Sequence, residues 1–491
     1  MASVIEKTIR KTVGKGLGKV AEFNRHRLPA LDKPHPFLTG IHKPLREEFT
    51  LTDLKVEGAI PDSLDGRYLR IGPNPITDPD PRAHHWFIGD GMSHGIRLRD
   101  GKAEWYRNRW VRSNAVSEAL GEPPAPGVRR QFSDNANTNI IGINGRTFAI
   151  VEAGGGPIEL NDELETVQHN PFDGTLKGSY SAHPHRDPLT GEMHAICYDA
   201  MAGDNVWHVV LDQNAKVIRE LPIPVQDGPS IHDCQITENY VLVFDLPATL
   251  SMKMMLAGYT IPFHWNADHP ARVGLLPRTG TADDIIWCDV DPCYVYHPAN
   301  AFETEDGKVI VDVVAHDSMY ARSTLGPDSK HSAFERWTID PATRKTDRAM
   351  FHDCKQEFPR YDERLTCKPY RYAYSVGLAA EDHVELTLGD TRLFKHDLAS
   401  GNTVEHDFGA NRHPGEFVFV PRSDAAAEDE GWLMGLVVDM NDEHSELVLL
   451  NADDFGGKPQ AIVQIPHRIP PGFHGNWVPG QPAKKGTEGA K

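Results

Sequence analysis

Thr138-Asn139-Ile140-Ile141-Gly142-Ile143 runs into Asn144-Gly145 and leaves it as Thr147-Phe148-Ala149-Ile150-Val151. Two β-rich runs joined by Asn-Gly are the strongest short-range hairpin signal, because both turn positions need positive φ, which Asn and Gly take cheaply. The same grammar recurs along the chain. Gly95-Ile96-Arg97-Leu98-Arg99 alternates apolar and polar residues and turns at Asp100-Gly101, as a half-buried strand does. Related turn signals stand at Asp187-Pro188-Leu189-Thr190-Gly191-Glu192, Glu305-Asp306-Gly307-Lys308 and Asp397-Leu398-Ala399-Ser400-Gly401. From Phe49 onward long helical periodicity is absent, and no linker interrupts the succession. Hairpins spread over most of 491 residues imply one closed all-β architecture, for which a β-propeller is the obvious form. No repeat is visible as self-similarity, so the pattern alone does not count blades.

Composition narrows the function. Hydrophobic residues make up 39% of the chain, and 42 Gly with 37 Pro fit many turns between short strands. The formal charge of −19 lacks the basic footprint of a nucleic-acid binder. The six cysteines, Cys197, Cys234, Cys288, Cys293, Cys354 and Cys367, form no C-x-x-C pair and follow no secretory signal. Reduced thiols in a cytoplasmic protein are the expectation. No apolar run approaches the length of a membrane span.

Two stretches suggest a membrane surface. Ile5, Ile9, Val13, Leu17 and Val20 recur on one side of a helical pattern, while Lys7, Arg10, Lys11, Lys15 and Lys19 fill the other, against only Glu6 and Glu22. Such a basic amphipathic segment suits an anionic bilayer, although Gly14, Gly16 and Gly18 weaken the helix. Leu250 to Trp265 holds Met252, Met254, Met255, Leu256, Tyr259, Ile261 and Phe263 with Lys253 as its one formal charge. It reads as a core-covering loop or as an apolar patch for a lipid.

The chemistry-bearing residues are histidines. Pro471-Gly472-Phe473-His474-Gly475-Asn476-Trp477 wedges a His between small and aromatic residues, in a run too rich in Gly and Pro for a helix. A lone His there is ordinarily a satisfied core residue. Three further segments repeat the setting: Ser181-Ala182-His183-Pro184, Ser230-Ile231-His232-Asp233 and Tyr294-Val295-Tyr296-His297-Pro298. Four His from four distant segments could converge on one metal, and an all-His set without Cys suits Fe(II), Zn or Cu. Carboxylates should then accept the free imidazole N–H groups and fix the rings. Glu152, Glu357 and Glu416 each sit in apolar runs; singly, each reads as a surface acid or salt-bridge partner.

The motifs Asp65-Gly66-Arg67-Tyr68-Leu69-Arg70-Ile71-Gly72-Pro73-Asn74-Pro75, Phe87-Ile88-Gly89-Asp90-Gly91-Met92 and Phe473-His474-Gly475-Asn476-Trp477, with the four His segments in order, resemble the carotenoid cleavage oxygenase family. The resemblance covers nearly the whole chain. It implies a seven-bladed β-propeller as one domain over 34–479, with a dome of loops and helices above an axial Fe2+. The basic segment 1–33 would precede it, and a tail 480–491 would follow. It implies His183, His232, His297 and His474 as iron ligands, with Glu152, Glu357 and Glu416 orienting His232, His297 and His474. His183 has no such acid in the family. Thr138 matches a position whose methyl crowds a vacant iron site in relatives. Stilbene-cleaving members hold a phenol with a Tyr and a Lys; those places read here as Arg107-Asn108-Arg109-Trp110-Val111 and Val151. An apolar site does not reward a phenol, so the expected activity is oxidative cleavage of a carotenoid or apocarotenoid by O2. Stilbene cleavage, the retinoid isomerohydrolase chemistry of other relatives, and a non-catalytic lipid-binding propeller are the alternatives. No obligate protein partner is implied. The 250–265 stretch lies where relatives place a membrane-dipping loop, giving a cytoplasmic protein docked peripherally on the inner face of the membrane.

Overall fold

The computed structural model describes residues 16, 18–130, 133–200, 203–379 and 385–480. Among them the chain is almost wholly antiparallel β, with helices confined to short pieces such as Asn114–Leu120 and Met252–Ala257. The hairpin at Asn144-Gly145 joins Asn139–Ile143 to Arg146–Ile150, with Asn144 at φ 47° and Gly145 at φ 72°. The other quoted turns also fall between paired strands: Gly91–Arg99 with Lys102–Trp110, Tyr294–Glu303 with Val309–His316, and Arg392–Asp397 with Asn402–Asp407.

The arrangement is propeller-like. Five sheets of four or five strands stand as separate units, beside one eight-stranded sheet and a two-stranded ribbon. Sheet by sheet, inner strands are buried and outer strands are more exposed. Gly66–Pro73 and Gly431–Asp439 are buried along their whole lengths, whereas at least half the residues of Asn402–Asp407 and Lys345–His352 are exposed. That gradient is what a ring of sheets packed face to face about an axis produces.

The expectation of a seven-bladed propeller is corrected: five blade sheets stand separately, not seven. Two four-stranded meanders, Cys234–Ile236 through Ile286–Asp289 and Tyr294–Glu303 through Lys345–His352, run together into the eight-stranded sheet. A single parallel pair, Asp289 opposite Lys345, fuses them, and the Lys345 ammonium donates to Asp289 at 2.8 Å across that seam.

Both chain ends are woven into sheets begun at the other end. Val56–Gly58 pairs with Ala461–Ile465, and Gly475–Pro479 pairs with Gly66–Pro73. The exchange closes the ring and brings His474 onto the axis. Contact there is so close that a Cβ on Gly72 would lie 2.4 Å from Gly472 Cα, and one on Gly472 would lie 2.7 Å from the Ile71 carbonyl. Glycine at both positions is a steric requirement.

All six cysteines are free thiols. Ile5, Lys7, Ile9, Arg10, Lys11, Val13, Lys15 and Leu17 of the amphipathic pattern lie outside the described residues, as do 481–491 of the tail. Residues 18–25 are helical and rest on the 250–265 stretch: Asn24 Nδ2 donates to the Leu256 carbonyl at 2.8 Å and Arg25 Nε to the Gly258 carbonyl at 3.4 Å. The stretch itself is the helix Met252–Ala257, capped by Ser251, inside the ribbon formed by Ala248–Leu250 and Phe263–Trp265. No helix among the described residues is long and apolar enough to cross a membrane.

Candidate metal centre

His183, His232, His297 and His474 are all buried, and one ring nitrogen from each lies within 4.8 Å of the others. They come from four separate segments, those of His232 and His297 at the two edges of the eight-stranded sheet. His183 and His232 stand just before His185–Arg186 and Cys234–Ile236, His297 lies within Tyr294–Glu303, and His474 directly precedes Gly475–Pro479. Ring centroids from His183 to His232, His297 and His474 are 4.4, 5.1 and 4.6 Å.

The strands do not carry these side chains by regular pleating. The pairing register slips between Val295 and Pro298, between Glu357 and Arg360, and between Pro414 and Phe417. Each slip contains one site residue: His297, Glu357 or Glu416. A bulge re-aims a side chain that a regular strand would send elsewhere, and proline removes the donor that would keep the ladder regular. Pro298, Pro359 and Pro414 supply it here. Phe358 sits at φ 53°, a strained setting for a bulky residue, and stacks on the His297 ring at 5.2 Å.

Three imidazoles meet a carboxylate through Nδ1. Glu152 Oε1 lies 2.8 Å from His232, Glu357 Oε2 lies 2.6 Å from His297, and Glu416 Oε1 lies 3.0 Å from His474. A carboxylate only accepts, so each Nδ1 carries a proton, and in the neutral ring that a metal requires Nε2 is the bare nitrogen. His232 Nε2 and His297 Nε2 approach to 3.2 Å, and His183 Nε2 is buried without a partner. Bare nitrogens facing one another are costly unless a cation stands among them. The donor set therefore fits a metal, and four neutral imidazoles fit Fe(II), Zn or Cu.

The acids are not equivalent. Glu357 also accepts from His316 Nε2 at 2.6 Å, and His316 Nδ1 lies 3.0 Å from Ser329 Oγ. Burial alone would raise the Glu357 pKa, but His297 and His316 outweigh it and hold the carboxyl far below the usual range. Burial opposes ionisation of Glu416 too; Arg360, His474 and the Gly475 N–H overcome it and bring its pKa to about 2. The Gly475 N–H donates to Glu416 Oε2 at 2.8 Å, and Arg360 Nε lies 3.8 Å from Oε1. Glu152 has one anchor, with Oε2 buried and unpartnered. Burial, then the neighbouring His, push the His183 pKa well below 6.5. For His232 burial pulls down, but Glu152 prevails and the pKa rises.

Sequence reasoning missed His316 and Arg360. The prolines after His297 and Phe358 and before Glu416 were the available signal for bulged, functional strands, and Arg360 stands one residue beyond such a proline.

Two cavities open from the histidines. One of about 440 Å³ is walled by Trp86, Phe87, Ile261, Phe263, Leu386 and Phe473, and reaches His232, His297 and His474. Thr138 borders it, with its hydroxyl bonded to Asn137 Oδ1 at 2.9 Å and its carbonyl accepting from His474 N–H at 3.1 Å. The other, of about 490 Å³, holds Asn139, Arg186, Asp233, Arg360 and Asn476 and reaches His183, His297 and His474.

Trp110 lies elsewhere than expected. Val151 lines the apolar chamber, but Trp110 does not border it. Its indole donates to the Asn74 carbonyl at 2.9 Å, and it packs with Met92 and Val116. Its inward strand position commits it to that core. Tyr198, Tyr296 and Tyr320 do line the chamber, with the Tyr296 hydroxyl donating to that of Tyr320 at 3.3 Å, so its wall includes three tyrosines that the sequence reading lacked.

The family of the retinal pigment epithelial membrane protein matches residues 42–479. A carotenoid cleavage oxygenase of Mycobacterium tuberculosis is 41% identical over 500 aligned positions, covering 92% of this chain and 99% of that protein. Two solved structures are each 28% identical. A lignostilbene dioxygenase of Pseudomonas brassicacearum superposes with a TM-score of 0.82 over 92% of this chain and 100% of its own. An apocarotenoid oxygenase mutant of Synechocystis gives 0.79 over 89% and 97%.

Proposed function

The chain belongs to the family of the retinal pigment epithelial membrane protein and the carotenoid cleavage oxygenases, and from that membership we propose that it is a ferrous dioxygenase. It cleaves a conjugated C=C bond of a carotenoid or apocarotenoid with O2 and releases two carbonyl fragments. The observation that carries this reading is the cluster of bare, buried imidazole nitrogens at the end of an apolar chamber. His183, His232, His297 and His474 would hold the iron. When bound, the iron supplies the activation of dioxygen.

The chain's own residues bind, orient and exclude water. Trp86, Phe87, Phe263 and Phe473 offer an apolar polyene a wall with few competing donors. Glu152, Glu357 and Glu416 keep three imidazoles in the tautomer that presents Nε2. Thr138 narrows the chamber in front of His474.

A second reading, stilbene cleavage, is favoured by one observation: Tyr198, Tyr296 and Tyr320 in the chamber wall, whose hydroxyls could pair with a phenol. Incubating iron-loaded protein with carotenoids, apocarotenals and hydroxystilbenes, with mass analysis of products, separates the two. Paired carbonyl fragments from polyenes are expected; cleavage of the stilbene alone transfers the assignment to the second reading. Purified protein without iron and without iron dependence sinks both.

Three structural readings go with this function. We count the eight-stranded sheet as two blades fused by the single Asp289–Lys345 pair, giving seven in all. We take 34–479 as the catalytic domain, on the support of the exchanged terminal strands. We also assign peripheral membrane docking to the joint surface of residues 18–25 and the helix Met252–Ala257, where Val20, Phe23 and Met252 are exposed.

A further inference from the structure

His183 is the imidazole for which the family resemblance supplied no acid. Its Nε2 faces the cluster, buried and unpartnered. If Nε2 is to donate to a metal, Nδ1 must carry the proton, and something should stabilise the positive end of that N–H. Asp233 is within reach. Its Oδ2 lies 3.8 Å from His183 Nδ1, and both side chains are 5% exposed.

The carboxylate is held rather than loosely placed. Oδ1 accepts from the Cys234 N–H at 2.6 Å and lies 2.8 Å from His185 Nε2, which donates to it. That leaves Oδ2 toward His183. Asp233 directly follows His232, so one short segment supplies a candidate ligand and an acid beside another ligand. His185 stands two residues after His183 on that ligand's own segment. His185, Asp233 and Cys234 also bring ligand atoms within 4.8 Å of one another, but His185 and Asp233 already satisfy each other, and the buried Cys234 thiol has its pKa raised well above the usual value by burial and by Asp233. Their arrangement suits a buttress better than a second ion.

We infer that Asp233, aimed by His185 and the Cys234 N–H, is the positioning carboxylate for His183. It completes an outer ring in which all four imidazoles face an acid. At 3.8 Å the contact is longer than a hydrogen bond, so its action is electrostatic and weaker than that of the three glutamates. Glu152 and Glu357 border the apolar chamber, whereas Glu416 and Asp233 border the polar cavity. The acids thus divide evenly between the two sides of the site.

The inference rests on the proposed metal function, and the test separates the two. Apo-protein is titrated with Co2+ against a chromophoric chelator, and the visible ligand-field bands are recorded. Asp233→Asn keeps shape and, with its oxygen still accepting from the Cys234 N–H, turns an amide donor toward His183 Nδ1 in place of the carboxylate oxygen. It should weaken cobalt binding about tenfold, the lower end of what loss of an outer partner costs, and shift the bands, while the melting temperature of the cobalt-free protein stays at the wild-type value. Wild-type affinity and bands in the variant overturn the inference and leave the metal site standing. An affinity loss matched by a lower cobalt-free melting temperature, with bands unmoved, also overturns it, because that marks a purely structural role. Wild-type protein that binds no cobalt removes the metal site and the inference together. If Asp233→Asn does not fold, His185→Leu carries the test. It removes one hold on Oδ1 and should weaken cobalt binding about threefold, a fraction of the loss expected for the acid itself; unchanged binding there overturns the inference.

Discussion

Two cavities meet at His297 and His474 and share little else. The apolar one is built from loops and aromatic side chains, with Trp86, Phe87 and Phe473 packed ring on ring at centroid distances of 4.9 to 6.2 Å. The polar one runs among the inner strands, where the ends of the sheets present Asn139, Arg186, Arg360 and Asn476. The difference teaches a division of labour. Loops shape the space that an apolar substrate would occupy, while the ring supplies charge and geometry to the imidazoles from behind. A metal between them would meet an oily ligand from the apolar chamber, with Glu152 and Glu357 at that side and Asp233, Arg360 and Glu416 at the other.

The harshest way to break that comparison is to remove the residues common to both sides. His297→Ala or His474→Ala deletes one of four nitrogen donors and joins the two cavities. Bound iron should fall from about one per chain to background, with turnover lost, as expected when one donor of a four-His set is missing. Metal analysis of purified variants reads this directly. Iron retained at the wild-type level in either variant means the cluster is not the metal site.

A gentler test sets one cavity against the other. Phe263→Asp puts an unpaired charge into the apolar wall, where it meets little to stabilise it. Burying such a group is costly, and kcat/KM for a polyene should drop by roughly 100-fold, about 2.7 kcal/mol. Arg186→Gln changes the polar cavity at a side chain whose bonds run to the Gly191 and Gly142 carbonyls and should stay within about threefold of wild type, as surface polar changes commonly do. Equal losses in the two variants would abolish the assignment of the substrate to one side.

The acids offer a pH test with a definite sign. Burial opposes ionisation of Glu416, but Arg360 and His474 overcome it and hold the pKa near 2, below an unfolded value of about 4.3. A depressed acid contributes stability that is fully present above the unfolded pKa and is lost as pH falls toward the folded one. Wild-type apo-protein should therefore lose melting temperature between about pH 5 and pH 2 more steeply than Glu416→Gln. At pH 7 the variant should be the less stable protein. Parallel pH curves, measured by scanning calorimetry, would falsify the claim that Glu416 is held ionised by Arg360 and His474.

What the sequence made legible follows the range of the interactions. Hairpins were readable because a turn such as Asn144-Gly145 and its flanking runs are local. The candidate site residues were also nameable, but their convergence depends on ring closure by Gly475–Pro479 against Gly66–Pro73, a contact between opposite ends of the chain. Only the family resemblance supplied that. The division into two cavities was not legible, since it depends on loops far apart in sequence, and Trp110 misled because its strand position turns it into the core with Met92. His316 was hidden for the same reason: its hydrogen-bonded path to His297 runs through Glu357, far along the chain.

The smallest expected effect lies where the apolar chamber would meet its supply. A polyene dissolved in lipid reaches a protein of charge −19 most readily from a bilayer surface that the protein touches. The helical residues 18–25 and the helix Met252–Ala257 are tied by Asn24 to the Leu256 carbonyl and by Arg25 to the Gly258 carbonyl, so the two stretches form one patch with Phe23 63% and Met252 47% exposed. Ile261, Pro262 and Phe263, a few residues beyond the helix, line the chamber itself, which joins the patch to the interior over a short path. Phe23→Glu with Met252→Glu removes two exposed apolar contacts and leaves the imidazoles untouched. Each buried apolar side chain is worth about 1.5–3 kcal/mol at most, and partial insertion realises a fraction of that. Liposome flotation should show binding reduced about tenfold, roughly 1.4 kcal/mol, while activity on detergent-dispersed substrate is unchanged. Flotation equal to wild type would place the route to the bilayer elsewhere on the surface, and with it the mouth of the apolar chamber.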